Sequence, residues 1–409
     1  SEKSDDIVPF LEDIKDMFGE PLASVHDMSK GIIKAVGIVF PDSLDFICHF
    51  HFLRDIGKDL LEAEYDNIRK RLTKHGVTGK LNYRLRKYEP SVDEKLIDMM
   101  NFGEPTCGDE LLCNMPMIAA YSLIIWAFEG KKHGNGYGFP FDRPHLEFAK
   151  RLKQIHADLD RLRKTRLGKD YRSNSPLHKT FFDLSDLMND KSLWRSVDSI
   201  EPEIDIFDKL RDAMRIAPKT SKRGLNSDGS SASIGAIEKG VNIFREKIVN
   251  SKDYSEHEQH QKMIEQLDKY WQKLFADPIE VKTSDGIKVI QQRTNNYAEH
   301  SFRDLKRGYR KKTGNGSLGK KLRTMLANTP LVKNLKNREY LTILLDGKSS
   351  LEELFADIDA KEVRKELKNA QGNIEKVPTK LKKLTKRSDY PKMLTNYYFE
   401  LKSNCIFGQ

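Results

Sequence analysis

One stretch near the start of the chain constrains the fold more than any other. Residues 23–31 and residues 45–51 each begin with a short apolar or β-branched run and end on polar, chemically reactive side chains. A helix-length apolar segment lies between them. This order predicts a strand, a helix and a second strand. Asp27 then lies at the end of the first strand, and Cys48 and His51 at the end of the second, where an α/β sheet presents ligands.

Asp27 has two interpretations at this stage. Aspartate is a good helix N-cap, and a helix-length segment follows it directly. A carboxylate at a strand end is equally suited to binding a metal ion. The residues around Asp27 favour neither interpretation.

A second informative segment lies far downstream, at residues 293–312. Its apolar residues recur at helical spacing, which predicts a helix with one face on the core. Glu299 begins a neighbouring stripe, and cations occupy the following positions of that stripe at Arg303, Lys306 and Arg310. One carboxylate therefore heads a row of positive charges.

These two regions together carry a resemblance to a known family. The motifs are His-Asp-Met-Ser-Lys-Gly-Ile at 26–32, Phe-Pro at 40–41, Cys-x-x-His at 48–51 and Thr-Asn-Asn-Tyr-Ala-Glu at 294–299. With these motifs the chain resembles the later part of the catalytic domain of DDE-type transposases of the Mutator-like and bacterial insertion-sequence group. They cover the two ends of residues 27–312, and the remainder matches only in general character.

The resemblance implies a fold and a chemistry. The expected fold is an α/β, RNase H-like catalytic core, interrupted by a large all-helical insertion and followed by a basic helical C-terminal region. Asp27 and Glu299 correspond to the family's second and third catalytic carboxylates and would bind Mg²⁺ or Mn²⁺ in a two-metal site. By the same resemblance His51 would contact the scissile phosphate or orient a ligand there, and Cys48 would pack behind the site; the alternative is that His51 is an ordinary core or edge histidine. The expected reaction is nicking at transposon ends, followed by strand transfer in DNA recombination.

One departure from the family pattern affects the expected activity. The family's first catalytic Asp precedes the second on an earlier strand, and only 26 residues precede Asp27 here. The four Asp residues among them lie at positions expected on the exposed face of a helix. We therefore expect the N-terminal part to be missing and the chain to be catalytically weak. The alternative is a non-enzymatic DNA-binding remnant, or a domesticated transposase.

Charge is distributed very unevenly along the chain. Residues 293–409 hold 26 Lys and Arg against 13 Asp and Glu, a net +13, whereas residues 1–292 hold 45 against 48, a net −3. This asymmetry indicates a polyanionic partner, most simply DNA at transposon ends and target sites. The alternative is a basic surface that only favours solubility. The predicted DNA contacts are Arg303, Lys306, Arg307, Arg310, Lys311, Lys312, Lys320 and Lys321.

The remaining composition restricts the setting of the protein. The four cysteines have no zinc-like pairing, and the most apolar stretch, Leu111–Phe128, is interrupted by Asn114 and Pro116. We therefore expect a buried helix there, no membrane association, and a cytoplasmic, nucleoid-associated protein. By the resemblance, it would act as a homo-oligomer in a synaptic complex.

Two irregular segments and the C-terminus complete the predictions. Residues 134–144 are rich in Gly, aromatics and Pro, and form either a DNA-facing loop that stacks an unpaired base or, as we favour, a loop pinned to the core by its aromatics. Residues 376–402 look like a basic tail that folds only on DNA. The expected domains are a partial core at 1–51, a helical insertion at 52–292 with a flexible loop near 217–233, the Glu299 helix at 293–313, and a basic region at 314–409.

Overall fold

The computed structural model describes most of the N-terminal three quarters of the chain and its C-terminal end. The described residues are 3–92, 97, 109–164, 175–216, 234–252, 254–277, 279–283, 286–290, 294, 303, 306–307, 309–311, 341, 345, 347–350, 353 and 379–407. The chain forms two compact units, one of residues 1–295 with 378–409 and one of residues 296–377.

The first unit contains most of the described structure. In chain order its elements are α1 (Ser4–Phe18), β1 (Ala23–His26), α2 (Lys30–Val39), β2 (Leu44–Ile47), α3 (His49–Lys74), α4 (Val77–Tyr88), α5 (Asp109–Lys131), α6 (Pro144–Lys164), α7 (Pro176–Met188), α8 (Lys191–Ala213), α9 (Ile234–Val249), α10 (Glu258–Leu274), β3 (Ile279–Thr283), β4 (Gly286–Ile290), α11 (Thr379–Leu384) and α12 (Tyr390–Phe407).

The predicted strand, helix and strand are confirmed as β1, α2 and β2. The two strands are parallel and in register from Ala23 opposite Leu44 to His26 opposite Ile47. The backbone N–H of Cys48 continues the ladder by donating to the His26 carbonyl at 2.8 Å. Because the strands are parallel, both carboxyl ends lie at the same edge of the pair. This edge holds the residues that the sequence singled out.

Long helices with apolar faces form the body of the first unit. α3 packs against α8, α6 and α10, and α5 packs against α6, α7 and α4. Every residue from 118 to 127 in α5 is buried, which confirms the prediction of a buried helix within Leu111–Phe128. None of the described helices is long and apolar enough to cross a bilayer.

The prediction of an α/β, RNase H-like core is wrong. Within the described residues, β1 and β2 form a parallel pair of four-residue strands, β3 and β4 form a separate hairpin, and helices make up most of the remainder. A parallel sheet needs several strands with helices covering both faces. The segments after β2 instead carry apolar residues at helical spacing, so they bury their surface helix on helix. The described part of the chain is mostly helical.

The β3–β4 hairpin is a second departure from the sequence analysis, which expected helix through residue 292. β3 pairs antiparallel with β4 from Ile279 opposite Ile290 to Thr283 opposite Gly286. β-branched residues alternate along both strands, at Ile279 and Val281 and again at Ile287 and Val289. This two-residue period with a nearby glycine is a hairpin signal in the sequence, although helix was predicted there.

The prediction of a C-terminal tail that folds only on DNA is also wrong. α11 and α12 fold within the first unit, and α12 packs on α5 and α6. Tyr390 has 0% of its surface exposed and Tyr397 has 1%. The indole N–H of Trp126 in α5 donates to the Arg387 carbonyl at 2.7 Å. Buried aromatic residues thus tie the last helices to the helical body.

The other predicted boundaries stay predictions. The suspected flexible loop near 217–233 and most of 293–377 lie outside the described residues. The described residues between 303 and 353 belong to the second unit.

Candidate functional site at the strand ends

A cleft of about 320 Å³ opens at the edge where β1 and β2 end. We call it the strand-end cleft. It collects side chains from the turn after β1 and from the first turns of α3. Its lining residues are Asp27, Met28, Ser29, His51, Arg54, Asp55 and Lys58.

Asp27 occupies the turn between β1 and α2. Its Oδ1 accepts a hydrogen bond from the Ser29 backbone N–H at 3.0 Å, and α2 begins at the next residue. This bond satisfies one donor at the start of the helix, as a capping aspartate does. Within the described part of the chain, the Oδ2 atom of Asp27 has no hydrogen-bond partner. One carboxylate oxygen therefore supports the turn, and the other remains for a ligand.

A buried network lies directly beneath Asp27. His26 Nε2 lies 2.5 Å from Asp45 Oδ1 on the neighbouring strand, and its Nδ1 lies 2.6 Å from the Asp27 carbonyl oxygen. Both ring nitrogens lie close to oxygen atoms, and this arrangement favours the protonated ring with its two N–H groups. Lys273 of α10 binds the other oxygen of Asp45. The network joins β1, β2 and α10 under the cleft.

The ionisation of this pair follows from its contacts. Burial lowers the pKa of His26, but the hydrogen bonds to Asp45 and to the Asp27 carbonyl outweigh burial, and the pKa is raised. Burial likewise raises the pKa of Asp45, but the hydrogen bonds from His26 and Lys273 outweigh it, and that pKa is lowered. The folded state therefore favours both charged forms.

These two shifts define the pH range in which the pair stabilises the fold. The contribution of His26 is complete below its unfolded pKa of about 6.5 and is lost as pH rises through its higher folded pKa. The contribution of Asp45 is complete above its unfolded pKa of about 3.9 and is lost as pH falls through its lower folded pKa. The pair thus stabilises the strand ends most between about pH 4 and pH 6.5.

The Cys48-x-x-His51 motif spans the junction of β2 and α3. Cys48 is the N-terminal cap residue of α3 and is fully buried, while His49 and His51 lie in the first turn. His49 Nε2 lies 2.7 Å from the Leu274 carbonyl oxygen at the end of α10. Cys48 and His49 therefore build the junction, and His51 is the residue of the motif that reaches the cleft.

Three charged residues of the cleft were missed by the sequence analysis. Arg54, Asp55 and Lys58 follow His51 by three, four and seven residues, so all four lie on one face of α3. This spacing was visible in the sequence, but α3 was treated only as the start of a helical insertion. Lys58 Nζ lies 3.8 Å from Asp55 Oδ1. Burial raises the pKa of the Asp55 carboxyl, and the nearby positive charge of Lys58 offsets part of that effect.

The glycine-rich loop at residues 134–144 supports the neighbouring face of α3. Phe141 stacks on Phe50 with ring centroids 4.7 Å apart, and Phe139 stacks on Tyr65 at 4.6 Å. The Asp142 carboxylate accepts hydrogen bonds from two loop N–H groups at 2.8 and 2.9 Å. The aromatics therefore pin the loop to the core, which confirms the interpretation favoured from the sequence.

The structure brings together only some of the predicted site residues. Asp27 and His51 line one cleft, and Cys48 is buried beside them. Glu299, Lys312, Lys320 and Lys321 lie outside the described residues. The other predicted DNA contacts have helical backbone and are exposed, in the second unit: Arg303, Lys306, Arg307, Arg310 and Lys311.

The donor set for a divalent metal is incomplete in the described part of the chain. No group of three or more His, Cys, Asp or Glu there is placed to hold a metal ion. Asp27 and Asp55 are the carboxylates of the cleft, and oxygen ligands of this kind suit Mg²⁺ or Mn²⁺.

The chain was compared with models of protein families, with curated proteins and with solved structures, and no match was found in any of the three.

Proposed function

We propose that this chain binds DNA and holds a phosphodiester group in the strand-end cleft, as part of the metal-dependent strand cleavage and joining of a transposase. The observation that carries the proposal is the convergence of Asp27, His51, Arg54 and Lys58 on one small cleft. A carboxylate and several cationic or hydrogen-bonding groups are what a phosphodiester and its metal ion require together.

Each side chain of the cleft has a distinct part in this proposal. Arg54 and Lys58 donate to the non-bridging phosphate oxygens, since guanidinium and ammonium groups are the usual phosphate ligands. His51 hydrogen-bonds the same phosphate from the first turn of α3. The His26 network holds the Asp27 backbone from below. The cleft thereby orients the phosphate before any reaction occurs.

Asp27 and Asp55 would provide carboxylate ligands to Mg²⁺ or Mn²⁺ in the cleft. The sequence resemblance separately assigns Glu299 as a metal ligand. A bound divalent ion supplies charge stabilisation at the phosphate and lowers the pKa of the attacking water.

The basic residues of the second unit provide the wider DNA contact in this proposal. Exposed cations at Arg303, Lys306, Arg307, Arg310 and Lys311 suit the phosphate backbone of a duplex. The proposal places the protein with cytoplasmic, nucleoid-associated DNA, acting as a homo-oligomer on transposon ends.

Duplex binding tests the first part of the proposal. We would measure the affinity of a labelled duplex by fluorescence anisotropy over a range of salt concentrations. Each neutralised phosphate adds about 0.9 to the slope of log affinity against log salt. Because Arg54 and Lys58 contact the same phosphate in this proposal, the Arg54→Ala, Lys58→Ala double variant should lower that slope by about 0.9. A matched control is Lys239→Ala with Lys247→Ala, since both lysines are exposed on α9. An unchanged slope in the cleft variant would show that the cleft does not bind a phosphate of the duplex.

Strand cleavage tests the second part. Nicking of supercoiled DNA in Mn²⁺ should be slow in the parent chain and absent in Asp27→Asn and Glu299→Gln, while duplex affinity is retained. Nicking that persists in both variants would refute the assignment of these carboxylates.

A second candidate function is DNA binding without catalysis. The specific observation in its favour is the presence of Arg54 and Lys58 beside the cleft carboxylates, because cations there can hold a phosphate without a metal ion. Salt-sensitive DNA binding, no nicking in any divalent metal, and unchanged Mn²⁺ affinity in Asp27→Asn would establish this function instead.

A further inference from the structure

A second concave surface lies on α8, in the same unit as the strand-end cleft but built from other residues. We call it the Trp194 groove. It is an open groove of about 590 Å³ near the start of α8 and the end of α7. Its lining residues are Met188, Lys191, Trp194, Arg195, Asp198 and Ser199.

The indole ring of Trp194 is held in place by contacts, yet it is only half-buried. Its Nε1–H donates to the Leu187 carbonyl oxygen at 3.1 Å, so the ring is anchored at its polar edge. The ammonium group of Lys153 lies 4.8 Å from the ring centroid. A ring held by two contacts loses little conformational freedom when a flat ligand stacks on it.

The charge around this ring is positive and exposed. Lys191 and Arg195 are exposed at positions i and i+4 of α8, on the same side of the helix and one turn apart. Neither forms an ion pair within the described residues, whereas Lys150 nearby pairs with Glu201 at 2.5 Å. Among the residues that line the groove, the two cations Lys191 and Arg195 stand against one carboxylate, Asp198. The groove therefore combines a flat aromatic surface with two cations that are available to a ligand.

We propose that the Trp194 groove binds single-stranded DNA, with a base stacked on Trp194 and the adjoining phosphates on Lys191 and Arg195. Stacking on an aromatic ring together with cations along the backbone is how proteins bind single strands without reading their sequence. An acidic peptide would match the cations but would leave the indole face without a flat partner. The choice of DNA rests on the proposed function, but the groove uses none of the residues of the strand-end cleft.

The test compares ligands that differ only in their bases. We would measure anisotropy of labelled oligothymidylate of about ten nucleotides and of an abasic oligomer of the same length. The parent chain should bind oligothymidylate about 10-fold more tightly than the abasic strand, because stacking contributes at this level for each base. Trp194→Leu should abolish the difference between the two ligands.

Matched variants separate stacking, charge and folding. Trp271→Leu is the aromatic control, since Trp271 is also half-buried and its Nε1–H is hydrogen-bonded, to Glu238 at 2.7 Å. Lys191→Ala with Arg195→Ala should lower the salt slope for oligothymidylate by about 1.4, at about 0.7 for each single-strand phosphate. The double variant Lys239→Ala, Lys247→Ala is its charge control and should leave that slope unchanged. Thermal unfolding of every variant shows whether it is folded.

Several outcomes would overturn the inference. Equal affinity for the abasic strand and oligothymidylate in the parent chain would exclude stacking. Equal affinity for poly-glutamate and oligothymidylate would show that the groove binds acidic polymers in general rather than single-stranded DNA. Retention of the base preference in a folded Trp194→Leu variant would place the stacking elsewhere. Loss of duplex binding in Arg54→Ala, Lys58→Ala with normal single-strand binding would affect only the strand-end cleft, so the two proposals fail separately.

Discussion

Gly57 of α3 should not tolerate even a methyl group. A Cβ atom built on Gly57 would lie 2.3 Å from Pro140 Cγ, 2.6 Å from Phe207 Cε2 and 2.8 Å from Pro140 Cβ. Carbon atoms in contact normally stay about 3.5 Å apart, so the loop or α8 would have to move by about 1.2 Å. Pro140 is part of a ring and cannot rotate away. Gly57 thus lies where α3 and the glycine-rich loop approach each other closely.

The expected change in stability combines two opposing effects. Alanine is favoured over glycine inside a helix by about 1 kcal/mol. Overpacking a tight core costs about 1–3 kcal/mol, and three contacts this short place Gly57→Ala at the upper end. We therefore expect Gly57→Ala to lower the free energy of unfolding by about 2 kcal/mol. The midpoint of urea unfolding, followed by circular dichroism, measures this change.

Gly79 in α4 provides the matched control. A Cβ atom there would meet nothing within 4 Å, and the residue is exposed. Gly79→Ala should therefore keep the helix-propensity gain and raise stability by up to about 1 kcal/mol. The two variants carry the same chemical change in the same type of element. If Gly57→Ala proves as stable as the parent chain while Gly79→Ala shows its gain, the packing of the loop on α3 described above is incorrect.

Two further perturbations test the strand ends and the C-terminal helices. Asp45→Asn should lower the free energy of unfolding by about 2 kcal/mol near pH 5.5, because it removes the charged acceptor of His26 and Lys273. This loss of stability should shrink as pH rises above the folded pKa of His26. Urea unfolding between pH 4 and 8 measures the loss, and a loss independent of pH would contradict the ionised pair. Tyr390→Ala should lower the free energy of unfolding by about 3–5 kcal/mol because the side chain is fully buried. Phe399 is 40% exposed, so Phe399→Ala should lower it by less than about 1 kcal/mol. Equal losses of stability in urea unfolding would show that α12 is not part of the core.

The local sequence pattern was sufficient to predict the part of the site whose residues lie near one another along the chain. The runs that begin residues 23–31 and 45–51, separated by one helix length of apolar residues, led to the β1–α2–β2 unit and to Asp27 and His51 at neighbouring strand ends. A parallel strand pair with a short crossover permits little else. The burial of helix α5 and the aromatic packing of the loop at 134–144 also followed from composition, because segments this rich in apolar residues are stabilised by burying them away from water.

Helical geometry alone is enough to predict the other residues of the cleft, but only if α3 is known to begin at His49. With that start, Arg54 and Lys58 share a face with His51. The predicted helical insertion instead began at residue 52, which assigned Arg54 and Lys58 to the insertion rather than to the site. Helix boundaries are set by capping and by packing at the junction, here by Cys48 and by the contact of His49 with the end of α10.

The fold class, by contrast, was decided by tertiary structure. The sequence determined where strands and helices form locally, because side-chain periodicity acts within a few residues along the chain. Whether β1 and β2 extend into a larger sheet depends on which distant segments bury their apolar surface together. In the described chain that surface is buried between helices, and α12 returns to α5 and α6 across more than 200 residues of sequence. No short-range pattern encodes such a contact, because its free energy comes from surfaces that meet only in the folded chain.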